Sequence, residues 1–252
     1  MRLHIKGRYL RFLPDLLSIG VLLLLPLLLF APVALGNKTL LPVDILYTFE
    51  PYSSEMDVSP PQNALLADLI LENYPWKRFL VESFRSRRLP LWDPYLFSGH
   101  PFLANGQHSA LYPLSGIFFL LPIPRAFGVF TVLQLGLAGV WMYVLGRTMG
   151  TRRLAAFLAG VMFQFSGVLV VSVVHPMILA AASWLPLLLA LEDLVVRQYP
   201  FMGQRRATLP WAILGAAALG LQMLAGHAEI TYFVLLVMAA FGAWRLFHLN
   251  AF

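Results

Sequence analysis

The chain contains no cysteine. That excludes a disulfide framework, a thiolate metal site and a cysteine nucleophile, and it leaves the redox compartment open. Charge is scarce as well. Only 12% of the 252 residues are charged, 59% are hydrophobic and the mean hydropathy is +0.73, whereas a soluble domain carries about a quarter charged residues. This deficit points to an integral membrane protein. Acidic residues are scarcer still outside one stretch: eight of the twelve, Asp44, Glu50, Glu55, Asp57, Asp68, Glu72, Glu82 and Asp93, fall between Leu41 and Pro113. No internal repeat stands out.

The formal charge of +6 raises nucleic acid as a partner, but its distribution argues against that. Arg2, Lys6, Arg8 and Arg11 precede the first apolar run. Arg147, Arg152 and Arg153 lie between two later runs, and Arg205 and Arg206 between the next pair. Basic clusters at alternate gaps between apolar runs are topology signals under the positive-inside rule. Membrane lipids, not nucleic acid, are the partners this pattern implies.

The pattern predicts an all-α fold, a polytopic transmembrane helix bundle with a long external first loop. Residues 1–15 form the cytoplasmic N-terminus. Residues 16–35 carry no charge and match the roughly 20 residues that cross a bilayer; the run is long for a signal peptide and further spans follow, so it reads as a retained first span. Residues 36–125 form the external loop with juxtamembrane helices. Further spans follow at 126–145, 154–174, 177–196, 209–225 and 230–246, the last two divided by Gly226-His227-Ala228-Glu229, and 247–252 are the C-terminus. Both ends then lie inside. Arg125 is the one basic residue that this scheme leaves without a reason.

Within the loop, Ala64–Asn73 reads as a short helix stopped by Pro75, which opens a second helix over 76–87. Asp68 and Glu72 share a face, and Leu65, Leu66, Leu69 and Ile70 suit a helix lying on the membrane surface. Beyond it, closely spaced Pro, Gly and aromatic residues favour an ordered irregular loop. Ile117–Leu121 is too short to span and reads as interfacial or re-entrant.

This topology puts His100, His108, His175 and His227 at the outer face, and His4 and His248 inside. None has a tight ligand spacing such as His-Glu-x-x-His, so isolated interfacial histidines are the plainer reading. His227 with Glu229, at a short turn, is the most suggestive pair. Most loop carboxylates, among them Glu50, Glu55, Asp57 and Glu82, read as solvated. Asp44, following an apolar segment just after the first span, and Asp68, in an apolar helix expected to hug the membrane, stand apart. A carboxylate in partly apolar surroundings has a raised pKa suited to general-base work. Arg85, Arg87 and Arg88 suit phosphate, which guanidinium binds bidentately; they equally suit a helix C-terminus or anionic headgroups. Asn37-Lys38-Thr39 matches a glycosylation sequon.

Several of these segments together resemble a known family. Tyr74-Pro75-Trp76-Lys77-Arg78, Arg88-Leu89-Pro90-Leu91-Trp92-Asp93-Pro94-Tyr95, Phe97-Ser98-Gly99-His100-Pro101-Phe102-Leu103-Ala104-Asn105 and Gln107 look like the first external loop of bacterial YfhO-like membrane proteins. Phe165-Ser166-Gly167 and Leu224-Ala225-Gly226-His227 resemble later segments of that family. These proteins are similar to the GT-C superfamily of polytopic glycosyltransferases. The resemblance implies a multi-pass protein of the bacterial inner membrane that takes sugar from a polyprenyl-phosphate-linked donor at the external face and passes it to a glycan, lipid or protein acceptor. It implies a catalytic acid in the first loop, Asp68 with Asp44 as the second choice, either as the base or as the anchor of a divalent metal. It assigns substrate binding to Arg87, Arg88, Trp76, Trp92, Asn105, Gln107 and His227. Asp93 and His100 depart from the family's usual residues. Relatives are longer, so the chain reads as an N-terminal fragment.

A different class of function fits the same residues, a non-enzymatic glycolipid-handling or transporter-like protein whose loop holds a glycolipid headgroup. Transport calls for polar residues at mid-membrane, and the predicted spans offer mainly Gln134, Gln164 and Gln222. A structural assembly subunit is the third reading.

Overall fold

A computed structural model describes residues 12–55, 61–96 and 98–250. The basic cluster Arg2, Lys6, Arg8 and Arg11, the loop acid Asp57, Phe97 of the loop motif and the last two residues lie outside the described residues.

The protein is 73% helical. The helices of eight residues or more are α1 (Leu13–Leu29), α2 (Tyr74–Arg85), α3 (Ile123–Thr148), α4 (Arg153–Gln164), α5 (Pro176–Ser183), α6 (Leu185–Val196), α7 (Leu209–Leu224) and α8 (Ala228–Asn250). Among the described residues the chain is helical, long and apolar enough to cross a membrane in four places: Ile123–Thr148, Arg153–Val174, Pro176–Val196 and Ala228–His248. Leu13–Leu29 and Leu209–Leu224 are shorter apolar helices. Continuous helix is the expected answer to such sequences, because it satisfies every backbone N–H and C=O within the segment.

Proline marks several of the starts. Pro14, Pro124, Pro176, Pro186 and Pro210 sit in first turns, where a missing N–H costs nothing. Two predicted spans are interrupted. The first breaks at Phe165, resumes over Gly167–Val171 and tightens to a 3₁₀ turn at Ser172–Val174. The second breaks at Trp184, between α5 and α6, where Pro186 disfavours the regular helix before it.

Helix α3 is the hub. Its most apolar window is 67% buried, against 22% and 17% for the corresponding windows of Arg153–Val174 and Ala228–His248, and it packs on α1, α4, α5 and α6. Small residues allow the closest approach: a Cβ added at Gly160 of α4 would lie 2.8 Å from the Gly139 carbonyl of α3. This is the small-residue packing that brings apolar helices together where side-chain hydrophobicity gives no drive.

Ion pairs gather five helix termini at one end. Asp15, at the start of α1, accepts from Tyr143 at 2.5 Å and from Arg147 at 3.2 Å near the end of α3, and pairs with Arg153 at the start of α4 at 3.1 Å. Asp193, fully buried near the end of α6, meets Arg197 at 2.5 Å and Arg245 of α8 at 2.6 Å. Arg197 also donates to the Thr148 carbonyl at 2.9 Å.

The long loop sits at the opposite end and departs from its expected form in three ways. Ala64–Asn73 is not one helix: a 3₁₀ turn at Ala64–Leu66 is followed by a π-helical turn at Leu69–Asn73 that runs directly into α2. Pro75 does not stop it, since it falls in the first turn of α2 where it breaks no hydrogen bond. Leu69 and Ile70 are buried in the main core with Leu41, Ile45 and Val81 and do not lie on a membrane surface; only Leu65 remains well exposed. Arg125 has a local role, its Nε donating to the Ala34 carbonyl at 3.1 Å where the one-turn helix Ala31–Ala34 ends.

Candidate functional site

Helix α2 organises the loop. Its buried face carries Trp76, Lys77, Leu80 and Val81. Trp76, Leu80 and Phe102 form a small core that Phe79 and Leu96 cover. Strands β1 (Trp92–Asp93) and β2 (His100–Pro101) pair antiparallel. The turn between them is held by Asp93, whose buried carboxylate accepts from the Tyr95 N–H at 2.9 Å. Gly99, at φ +105°, lies so close under the Trp92 ring that an added Cβ would come 2.5 Å from the indole nitrogen.

Lys77 is 3% exposed and has no carboxylate partner among the described residues. Its ammonium donates to the His108 carbonyl at 2.6 Å and to Ser115 Oγ at 3.2 Å, and sits 4.6 Å from the centre of the Phe118 ring. Burial lowers its pKa to about 7. His108 is stacked on Phe102 at 4.0 Å. Its Nε2 bonds the Phe102 carbonyl at 2.7 Å and its Nδ1 accepts from the Ala110 N–H at 3.0 Å. Both bonds are made at once only by the neutral ring with the proton on Nε2. Burial, with smaller contributions from Lys77 and His100 against a raising backbone hydrogen bond, lowers its pKa to about 4.

The loop is fastened to the bundle where two resemblance segments meet. Ser109 Oγ donates to the Ala225 carbonyl at 2.6 Å, and the Gly106 carbonyl lies against Gly226 (φ +94°), where no Cβ fits. The segment ending at Gln107 therefore packs directly on the turn that carries His227. That histidine performs a local task. Its Nδ1 accepts from the Ile230 N–H at 3.2 Å and its carbonyl accepts from Thr231 at the head of α8. Burial, with the nearby His175 acting in the same direction and Glu229 opposing, lowers its pKa.

The other residues expected at the site are dispersed. Asp68 is exposed and not sheltered in apolar surroundings. It is Glu72, one turn on, whose pKa is raised, by desolvation and by the Asp68 charge. Asp44 is half-buried and accepts from the Gln62 N–H at 3.0 Å; the turn Val43–Thr48 that carries it packs on Leu69–Asn73 beside Asp68. These acids lie at the N-terminal end of α2. Arg87 and Arg88 are exposed beyond its C-terminal end, so the 12-residue helix separates the two groups by about 18 Å. Trp76, expected to bind substrate, is buried as part of the loop's own small core. Trp92, Asn105 and Gln107 are exposed.

A cavity of about 290 Å³ opens between the C-terminal half of α2 and the one-turn helix Ile117–Leu120. Its apolar lining includes Val81, Phe118, Leu121 and Ile123, and its only charged side chain is Arg85. Among the described residues no set of three His, Asp or Glu side chains is placed to hold a metal ion. Lys77 and Arg85 were the residues that sequence reasoning undervalued. The signal for Lys77 was its spacing, three, four and seven residues before Leu80, Val81 and Phe84. Comparison of the chain with protein-family models, curated proteins and solved structures finds no match.

Lys77 and His108 both have pKa values below their ordinary 10.5 and 6.5, so the unfolded chain binds more protons than the folded one. Stability from these groups is complete above the ordinary values. It is lost as pH falls toward about 7 for Lys77 and about 4 for His108, at roughly 1.4 kcal/mol per pH unit inside each window. Thermal unfolding in detergent should therefore show a midpoint that rises between pH 7 and 9 in the wild type and stays level in Lys77→Met. Equal slopes in the two proteins would remove Lys77 as the cause.

Proposed function

We propose that the chain is a six-span protein of the bacterial inner membrane whose loop end faces the exterior and binds a polyprenyl-phosphate-linked sugar there. The observation that carries this reading is the arginine edge of the cavity beneath α2. Arg85 lines a space otherwise apolar, suited to the phosphate-proximal part of an isoprenoid chain. Arg87 and Arg88 follow in a turn in which Arg88 N–H bonds the Ser83 carbonyl and Arg87 N–H the Phe84 carbonyl, each at 2.9 Å. That is a Schellman closure, and it puts Arg87 at φ +54°, where glycine is the favoured residue and a side chain costs about 1 kcal/mol. Exposed Leu89 and Leu120 lie in the same stretches and suit the membrane interface, with the arginine heads at phosphate level.

Sidedness is tested first. With cysteine introduced singly into this cysteine-free chain, Ser53→Cys should react with an impermeant thiol reagent in intact cells and Thr151→Cys should not. The reverse pattern overturns the external placement of the loop.

Arg87→Gly then separates binding from folding. It should stabilise the protein by up to about 1 kcal/mol by relieving the left-handed backbone. It should nevertheless weaken binding of a polyprenyl-phosphate sugar by about tenfold, the value of one charge-assisted contact, with neutral lipid unaffected. Equal losses for both lipids would reduce the arginines to headgroup docking.

Transfer of the sugar, the activity that the resemblance implies, is the second reading, and the acids beside Asp68 favour it. An acceptor hydroxyl would attack the anomeric carbon and the bond from that carbon to the phosphate oxygen would break. Asp68 would take the hydroxyl proton and the configuration would invert. The length of α2 favours holding without transfer: with inversion the base reaches the acceptor hydroxyl on the face of the sugar opposite the phosphate, so base and phosphate-binding residues stand about one sugar ring apart, and Arg87 and Arg88 are a helix away. In a transferase Asp68→Asn keeps donor binding and loses turnover by about 10²-fold, and Asp44→Asn is milder. If Asp44→Asn abolishes transfer and Asp68→Asn does not, the two acids exchange roles. If transfer occurs and is unaffected by either change, the loop is not catalytic.

A further inference from the structure

The end of the bundle opposite the loop holds a cavity of about 380 Å³ between the start of α1, the ends of α3 and α6, and the start of α7. Its polar lining includes Asp15, Tyr143, Arg147, Arg197, Tyr199 and Trp211. The walls are braced. Trp211 Nε1 donates to the Tyr199 carbonyl at 2.8 Å, and the Arg197 guanidinium lies 5.4 Å from the centre of the Tyr199 ring. Charge at this end is unbalanced: four arginines, Arg147, Arg153, Arg197 and Arg245, share the two carboxylates Asp15 and Asp193. The remaining acid nearby, Glu192, is not in the cavity lining and has a carboxylate oxygen against Gly242 on α8. Arg197 Nε is buried and has no hydrogen-bond partner among the described residues. Arg152, Arg205 and Arg206 are exposed in the turns at this same end.

We propose that this cavity binds the phosphate headgroup of an anionic phospholipid from the leaflet at that end. A phosphate supplies the negative charge that the arginines lack and an acceptor for the Arg197 Nε donor. Trp211, Tyr199 and Tyr143 are the residue types that sit at headgroup depth. Ile19 and Leu194 in the lining, with the exposed Leu16 and Leu17 next along α1, give the acyl chains an apolar path out. A basic pocket between spans at the positively flanked end is the usual form of an anionic-lipid site. This site is independent of the sugar reading and depends only on the chain being embedded in a bilayer.

The test is native mass spectrometry of the purified full chain, mixed in turn with phosphatidylglycerol, with phosphatidylcholine of the same chains, and with water-soluble glycerol phosphate. Phosphatidylglycerol should be retained about tenfold over phosphatidylcholine. Arg147→Gln should remove about that factor, one charge-assisted contact, while Arg205→Gln with Arg206→Gln should leave it within about twofold, as for screened surface charges. If Arg147→Gln does not fold, the wild-type protein still answers: phosphatidylglycerol brominated in its chains should quench more fluorescence in the wild type than in Trp211→Phe, and brominated phosphatidylcholine should not. Equal retention or equal quenching of the two lipids overturns the proposal. Displacement of the lipid by glycerol phosphate at the same concentration overturns the lipid assignment in favour of a soluble phosphate.

Discussion

The loop is tied to the helices by the Tyr112 hydroxyl. Trp184 Nε1 donates to it at 3.0 Å, and it donates to Gln134 Oε1 at 3.2 Å, which also accepts from Ser183 Oγ at 3.2 Å. All four side chains are buried. In one connected set they join the loop, α3, α5 and the junction between α5 and α6. Each hydrogen bond is worth only about 1 kcal/mol net, but an orphaned partner in an apolar interior costs about 1–3. The network therefore defines one seating of the loop: shift Tyr112 and the buried Trp184 Nε1 loses its acceptor, while Gln134 Oε1 is left with Ser183 alone. Ser109 on Ala225 and Lys77 on His108 then repeat the principle further out, each satisfying a buried carbonyl with a side chain from a distant segment.

The two ends of the bundle treat charge differently. At the end without the loop, Asp15 and Asp193 are each clasped by two arginines, at least one of them from a neighbouring helix, so the charges fix which helix termini lie together. A buried pair of this kind is costly to break and adds little when intact; its contribution is to register. At the loop end Lys77, the one buried cation there among the described residues, is held by a carbonyl, a hydroxyl and a ring face instead of a carboxylate. Uncharged partners leave the ammonium only partly compensated, which is why burial dominates its pKa. The carboxylates of the loop are meanwhile spent on the surface or, like Asp93, on a turn. Asp93 acts there only through an oxygen that accepts an amide, which an asparagine supplies equally well.

What was legible in the sequence follows from which interactions are local. Long uncharged runs declare helix by composition, and the predicted runs at 126–145 and 230–246 fall within α3 and α8. Arg147 and Arg153, from one of the basic clusters, meet at one end of the bundle on Asp15. Pro75 misled because proline reads as a stop and as a start, and only the preceding turn decides; here Leu69–Asn73 feeds straight into it as a π turn. Leu69 and Ile70 were assigned to a membrane surface because periodicity reports an apolar face without saying what covers it, and the cover is Leu41 and Ile45 from another part of the loop. The expected site was harder still. Asp68, Arg87, Trp76 and His227 were grouped by residue type and by resemblance. Whether such residues meet depends on the direction and length of α2, which no short motif encodes.

Both candidate binding edges are built by the same backbone device. Helix α6 closes as α2 does: Tyr199 N–H bonds the Leu194 carbonyl and Gln198 N–H the Val195 carbonyl, each at 3.0 Å, with Gln198 at φ +50°. In each helix a residue other than glycine takes the left-handed position, a cost of about 1 kcal/mol that glycine would have avoided. The closure reverses the chain within two residues of the last turn. Past the end of α6 this keeps Tyr199 in the cavity lining, and past the end of α2 it sets Arg87 two residues beyond Arg85, the residue that lines the cavity there. A glycine closure would leave the same carbonyls satisfied but would allow the chain a wider choice of exit, so the strained residue holds the edge in place. The energy of two unfavourable dihedral pairs is thus spent where each helix ends at a pocket containing arginine.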